Sequence, residues 1–407
     1  MQHKNDGVAF APTKLTLVSM LLASMLMLMG GAAVAPALPL INEAFPGEDF
    51  AVSLIITLPS LAVGLLGLVI GSLADRFGKV RTLCVSLVVF TLAGVASFFL
   101  DDLMVILVMR FVVGIGIAGI SAAVTALMAE YYTGVSRVKV LSYQSAAMGL
   151  GVLILEYTGG SLAAFSWHEP FLVYLIGIPI LVLCILSMRE PSPVAASVDL
   201  EAPGRPAKAA NMRLIAVCYV AIFVCQTMSF LLPTKIPTFL EDPDLPGHLD
   251  ASVVGLFLGV NGVSNAVMAL FYRRVASRVR PFMVMGTGFL LMGVGMVILM
   301  VHPAVATAFF TMVLAGVGLG MICPAVTNVL AGEATASTSG KIMGGYSTFL
   351  NFGQFSISLI SVPLLAAVGD SIPALFAVMG TLAIVVAAVF VAYCAKDRRF
   401  SSDGVGA

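Results

Sequence analysis

The sequence predicts an all-α membrane protein, with twelve transmembrane helices in two pseudo-symmetric six-helix bundles. Hydrophobic residues make up 60% of the 407 residues and charged residues 10%, against roughly 25% charged in an average soluble domain. Mean hydropathy is +1.06, and a water-soluble fold could not hide that much apolar surface. Apolar runs long enough to cross a bilayer as helix, about 20 residues, fall at approximately 15–41, 51–73, 82–100, 103–129, 139–161, 170–188, 213–239, 253–272, 282–301, 304–331, 342–368 and 373–395. With the N-terminus inside, nineteen of the twenty-one Lys and Arg lie on one side: Lys4 and Lys14; Arg76, Lys79 and Arg81; Arg137 and Lys139; Arg189, Arg205, Lys208 and Arg213; Arg273, Arg274, Arg278 and Arg280; Lys341; Lys396, Arg398 and Arg399. The opposite loops hold acids and no Lys or Arg: Glu43, Glu48, Asp49, Asp101, Asp102, Glu169, Glu241, Asp242, Asp244, Asp250 and Asp370. Basic loops stay cytoplasmic during insertion. The expected location is therefore a bacterial or archaeal inner (plasma) membrane, with both termini cytoplasmic.

Span 1 follows Lys4 and Lys14 and passes Ala33-Val34-Ala35, a pattern that imitates a signal peptide. Its run from Leu15 to Ile41 is far longer than a signal h-region of about 7–15 residues, and removing it would leave an odd number of spans. It reads as an uncleaved helix. Span 2 spaces Gly64, Gly67 and Gly71, span 4 has Gly114, Gly116 and Gly119, and span 10 has Gly316, Gly318 and Gly320. Small residues let helices approach closely in lipid, which serves static packing and sliding alike. Spans 4 and 10 match further. Gly114-Ile115-Gly116 is followed by Ala123-Val124-Thr125 and Glu130; Gly316-Val317-Gly318 is followed by Ala325-Val326-Thr327 and Glu333, with a shared offset of 202 residues between the GxG and AVT elements. A fixed offset near half the chain length marks a duplication. Span 1 also carries Pro36 and Pro39 where span 7 carries Pro233 and Pro237. Between the repeats, a stretch rich in Pro, Ala and charge reads as a flexible linker. The expected division is an N-terminal half over 1–188, a cytoplasmic linker over 189–212, and a C-terminal half with a short tail over 213–407.

Net charge is zero. The basic patches are short and each follows a span end, which points to topology and lipid headgroups, not nucleic acid. The six cysteines (84, 184, 218, 225, 323, 394) lie inside apolar spans without a CxxC pair, so they read as packing residues. The four histidines (3, 168, 248, 302) fall in the N-terminal tail or the outer loops. With no Ser–His or metal-ligand constellation and no Walker loop, no enzyme, metal or cofactor is expected.

The loop between spans 2 and 3 reads Gly71-Ser-Leu-Ala-Asp75-Arg76-Phe-Gly78-Lys79-Val-Arg81. It resembles the hallmark loop of the major facilitator superfamily, G-x-L-a-D-r-x-G-r-k. Together with the spans, the repeat and the central linker, the resemblance covers the whole chain. It implies a secondary transporter in which two six-helix halves rock about a central site. It also implies gating by Gly71, Asp75, Arg76, Gly78 and Lys79, with Asp75 latching the cytoplasmic side against the start of span 11 near Gly344-Gly345. A carboxylate beside a helix N-terminus is favoured by about 0.3–1 kcal/mol. The corresponding second loop, Tyr272 to Arg280, has no Asp.

Arg110-x-x-x-Gly114-x-Gly116 in span 4 resembles the R-x-x-x-G element of the superfamily's proton-coupled drug antiporters. Span 5 departs from their G-x-x-x-G-P-x-x-G-G: here Gly151 leads to Leu155-Glu156 and then Gly159-Gly160. At 1.5 Å per residue, Arg110 lies about 10 Å below the outer end of its span, and Glu156 about 25 Å along its own, in the outer third. Charge within a span is costly and usually functional. Arg110 has either a transport role or a structural one, paired with a backbone carbonyl or a Glu; Glu156 either carries the coupling proton with Arg110 as its partner, or forms a static pair with it. Arg110's counterpart at the 202 offset is Met312, so the fold does not demand an arginine there. Lys235, near the outer end of span 7, either snorkels toward outer acids such as Glu241 and Asp242 or recruits an anionic group. Tyr143, Gln144, Gln226, Asn261, Asn265, Asn328, Tyr346, Asn351 and Gln354 are either interhelical glue or, with Arg110 and Lys235, the lining of a polar central site. The expected function is proton-coupled efflux of a small organic solute by a monomer in the bilayer. Proton-coupled uptake of a small, possibly anionic, solute is the alternative, and a non-transporting scaffold or sensor the more remote one, since no soluble domain is present to carry a signal.

Overall fold

The computed structural model describes residues 12–190, 211–334 and 338–396. Lys4, Arg205, Lys208, Arg398 and Arg399, and most of the expected linker, lie outside the described residues. Twelve helices are long and apolar enough to cross a membrane. They are α1 (Lys14–Ala44), α2 (Asp49–Phe77), α3 (Lys79–Phe99), α4 (Leu103–Tyr131), α5 (Gly134–Ala163), α6 (Glu169–Ser187), α7 (Met212–Leu240), α8 (Ala251–Ala276), α9 (Pro281–Val301), α10 (Val305–Glu333), α11 (Ser339–Ala367) and α12 (Ile372–Lys396). No strand occurs among the described residues. Lipid offers no hydrogen bonds, so each span satisfies its backbone internally as helix.

The ends follow local rules. Asp102 accepts from the amides of Met104 and Val105 at 2.8 and 3.1 Å and so starts α4. Asn211 does the same for α7 through the Leu214 amide at 3.3 Å. Two spans are less regular than the apolar runs suggest. α1 is interrupted by 3-10 turns at Leu26–Leu28 and Ala35–Ala37, where the Gly30-Gly31 pair and Pro36 weaken the α-helical ladder. α6 begins as a 3-10 stretch over Glu169–Ile176. The prolines of α7, by contrast, sit inside one continuous helix from Met212 to Leu240, so the matching proline pairs do not produce matching breaks.

The duplication is visible in the packing. A side chain at Gly114 would meet the Pro59 carbonyl of α2 at 2.4 Å, and one at Gly316 would meet the Asn261 carbonyl of α8 at 2.4 Å. Gly116 faces Phe90 of α3, and Gly318 faces the Gly288 carbonyl of α9. Each half thus seats its fourth helix on its second and third through the same glycines. The halves meet along two seams, α2 against α11 and α5 against α8.

Candidate functional site

The seams enclose a cavity of about 260 Å³ whose wall includes Glu156, Gln226, Asn261, Asn265 and Gln354 among apolar groups such as Met148, Phe230 and Met312. A second void of about 280 Å³ shares Leu28, Gly31, Met148, Phe230 and Gln354 with it and adds Ser60, Ser121, Tyr346 and Asn351. A third, sharing Val63, Ser121 and Ser347 with the second, continues between Gly67 of α2 and Gly344 of α11. The three step along the α2–α11 seam toward the ends that carry Arg76, Lys79 and Lys341, here called the basic face. On the opposite, acidic face the same seam is shut: Thr57 and Ser358 share a hydrogen bond at 2.6 Å, the Ser358 hydroxyl donates to the Ser53 carbonyl at 3.0 Å, and Ser60 donates to Gln354 Oε1 at 2.7 Å.

Glu156 occupies the α5–α8 seam. It is 6% exposed, and its Oε2 has no hydrogen-bond partner. Gly255 of α8 lies so close that a Cβ there would be 2.3 Å from the Glu156 carbonyl oxygen. The cavity wall around Glu156 contains no Lys, Arg or His. An unpartnered buried carboxylate is held at a cost of several kcal/mol if ionised, which makes its proton occupancy a property of the seam.

Arg110 does not pair with Glu156; no ion pair within 4 Å joins them. Its guanidinium is wholly buried and is held by the fold through Nε and Nη2, while Nη1 has no hydrogen-bond partner. Nε donates to the Ile55 carbonyl at 2.9 Å, and Nη2 donates to the Gly30 carbonyl and to the Tyr174 hydroxyl, the latter at 2.7 Å. The rings of Tyr174 and Phe171 flank it at 5.1 and 5.8 Å. The 3-10 breaks in α1 leave carbonyls such as that of Gly30 outside a regular helical ladder, and the forked donors of Arg110 take one up. The aromatic partners on α6 carry no signal in an apolar sequence.

The remaining expected residues divide. Gln226, Asn261, Asn265, Tyr346, Asn351 and Gln354 come together around the cavity. Asn261 is already spent in part, donating to the Met312 carbonyl at 3.1 Å. Gln144 is buried behind the wall against Met27 Sδ at 3.8 Å. Tyr143 is 49% exposed and lines neither void. Asn328 lies at the basic face in a separate pocket with Arg280 and Glu333. Lys235 is buried outside the cavity wall and makes no ion pair with Glu241 or Asp242. Ser53, Thr57, Ser60 and Ser358, which close the seam, were not among the expected residues; hydroxyls inside apolar runs were their only trace.

The expected latch is not engaged. Helix α2 runs through Asp75 and Arg76 to Phe77, so only Gly78 separates it from α3. Gly78 has φ +106°, the left-handed region that favours glycine, and the Glu190 carboxylate fills the space where a side chain would stand. The two Glu190 oxygens accept from the amides of Lys79 and Arg81, both at 3.0 Å. Lys79 bridges to Asp75 at 3.5 Å and contacts Glu130. The Asp75 side chain is 73% exposed and bonded within its own half, and Arg76 stacks over Phe77 at 5.6 Å. Across the seam Gly344 meets Leu68, nearly two turns before Asp75. Gly71 faces Ala122 with room to spare.

The sequence profile of the Major Facilitator Superfamily matches residues 20–246 and 236–405. The chain belongs to the major facilitator superfamily. It is a multi-pass membrane transporter and not an enzyme. The tetracycline resistance protein, class C, of Escherichia coli is 27% identical over 353 residues, covering 83% of this chain and 87% of that protein. Multidrug resistance protein 1 of Bacillus subtilis (strain 168) is 24% identical over 349 residues, covering 84% and 87%. Among solved structures of the superfamily fold, a POT peptide transporter superposes with TM-score 0.75 at 13% identity, covering 95% of this chain and 96% of that one. A bacterial homologue of the human lysosomal transporter Spinster, inward-facing and unoccupied, superposes with TM-score 0.67 at 17% identity, covering 93% and 94%.

Proposed function

We propose that this superfamily member exports a small organic solute in exchange for protons, by alternating access between two halves over 1–188 and 213–407. The single observation that carries the reading is Glu156: a buried carboxylate with a free oxygen, in the wall of the central cavity and in contact with the facing half. A proton there neutralises the seam; its loss leaves a charge that only water or a solute can satisfy. The amides of Gln226, Asn265 and Gln354 give the cavity hydrogen-bonding capacity, while Phe230, Met148 and Met312 supply apolar contact. Anionic uptake has less support, because neither Arg110 nor Lys235 is in the cavity wall. The drug-resistance names of the two relatives favour export.

We assign the basic face to the cytoplasm, from the distribution of Lys and Arg, with the protein acting as a monomer in the plasma membrane. The conformation is then open toward the cytoplasm, and Asp75 engages α11 only in the opposite state. The test is proteoliposomes with an imposed pH gradient, reading solute and proton flux together over a panel of neutral, cationic and anionic drugs. Wild type is expected to accumulate solute against its gradient while protons move the other way. Glu156→Gln is expected to abolish accumulation yet retain solute binding. Accumulation by Glu156→Gln with wild-type pH dependence would move the coupling elsewhere, to Glu130 or Glu333.

A further inference from the structure

The acidic face holds a second carboxylate that this mechanism does not use. Glu241 follows the last residue of α7, its amide bonded to the Pro237 carbonyl at 3.0 Å. The segment after it folds back, with the Leu249 amide on the Leu240 carbonyl at 2.8 Å, and α8 begins at Ala251. Glu241 is therefore fixed on the C-terminal half at the acidic face, near Glu43 of α1 and Asp250 before α8. The last turn of α1, from the other half, packs against α7 and carries Asn42 and Glu43.

Two oxygens at these helix ends are shut off from solvent without a partner, Glu241 Oε1 and Asn42 Oδ1. Both are acceptors when Glu241 is ionised, and leaving a buried acceptor unmet is costly. Glu43 on α1 and Asp250 before α8 add negative charge. Burial, then these two acids, push the Glu241 carboxyl from its ordinary 4.5 up to about 8. Of the other charged groups nearby in the chain, Asp242, Asp244 and His248 share its loop, Asp49 starts α2, and Lys235 lies lower on α7 without an ion pair to it.

We propose that Glu241 is a proton-binding site whose occupancy holds the two halves together at the acidic face. A proton removes one of three negative charges from the joint and turns Oε1 from an unmet acceptor into a donor, on a surface where Asn42 Oδ1 still lacks one. When the halves part, the carboxyl meets water and returns toward its ordinary value. The closed face therefore binds the proton more tightly than the open one. Closure is strongest below about 4.5, weakens by up to about tenfold per pH unit as pH rises, and levels off above about 8. The site stands independently of the role given to Glu156.

The full-length protein in lipid nanodiscs, free of other cysteines and spin-labelled at Pro46→Cys and Pro246→Cys, reads the distance across the acidic face. Between pH 5 and 8.5 the short-distance population of the parent is expected to fall at least tenfold, and Glu241→Gln is expected to hold it near its low-pH value throughout. Glu43→Gln and Asp250→Asn keep the carboxyl and remove a neighbour, so each is expected to keep the response but move its upper limit to lower pH; they decide the matter if Glu241→Gln fails to fold. Glu156→Gln is expected to keep the response. A distance distribution independent of pH in the parent overturns the site. So does a Glu241→Gln protein that responds like the parent, neighbour variants that leave the response unmoved, or a response abolished only by Glu156→Gln.

Discussion

Along the α2–α11 seam the halves are stitched by hydroxyls, Thr57 to Ser358 and Ser60 to Gln354; along the α5–α8 seam they meet glycine against backbone. There Gly160 faces the Ala251 carbonyl, Gly255 the Glu156 carbonyl and Gly259 the Leu153 side chain. The two seams are related by the duplication, and Ser358 stands 202 residues after Glu156 (358 − 156), the offset of the repeated motif. One position has become a hydrogen-bonded hydroxyl and its counterpart an unpartnered carboxylate. Symmetry supplied two equivalent joints, and of these two matched positions only Glu156 can hold charge. Under the proposed proton coupling, protonation of Glu156 would act on the α5–α8 joint, while the matched position of the other keeps a neutral hydrogen bond.

The halves differ most in what their fourth helices bury, so the largest effect is expected there. Arg110→Ala strands one carbonyl of α1 and one of α2, each left unmet at about 1–3 kcal/mol, whereas Met312→Leu at the counterpart is expected to cost less than about 1.5 kcal/mol. Thermal unfolding in detergent compares them, and equal losses would break the contrast. Next, Gly255→Val forces a side chain into the Glu156 backbone and is expected to cost about 1–3 kcal/mol by overpacking. It should also stop transport, because the α5–α8 seam can no longer close; solute flux in vesicles checks it. Ser358→Ala removes two buried hydrogen bonds, to Thr57 and to the Ser53 carbonyl, together worth about 1–3 kcal/mol. It is expected to raise the population open at the acidic face by roughly 5–160-fold, read by labelling of an acidic-face cysteine with an impermeant maleimide. The smallest effect belongs to Asp75→Asn. Its exposed pair with Lys79 contributes at most about 1 kcal/mol, so stability in the present conformation should barely change, while the conformation closed at the basic face loses its latch. Distances across the basic face sharpen this: a shift toward the open population is expected, and an unchanged distribution removes Asp75 from gating.

The spans, the repeat and the polar groups of the cavity were legible in the sequence, because each rests on composition or fixed spacing. Glu156 was legible because a carboxylate in an apolar run has few reasons to be there. Which groups hold Arg110 was not legible: they are the Gly30 carbonyl beside a break in α1, the Ile55 carbonyl in α2 and the Tyr174 hydroxyl, and carbonyls leave no mark on a sequence. Tyr143, Asn328 and Lys235 fell off the cavity wall because their helices are apolar nearly all round. A helix without a polar face gives no periodic signal for its rotation, so depth could be counted while direction could not. Gly30-Gly31 was the available clue to the break; proline alone was not, since α7 carries Pro233 and Pro237 and stays continuous.

Glu190 has a mechanical consequence. It lies just beyond α6, at the point where the chain leaves the first half, and its carboxylate grips the opening amides of α3 while overlying Gly78. The strand of polypeptide that joins the two halves is thereby clamped at its near end to the pivot between α2 and α3. A displacement of the chain at Glu190 would therefore bear first on the one-residue joint at Gly78.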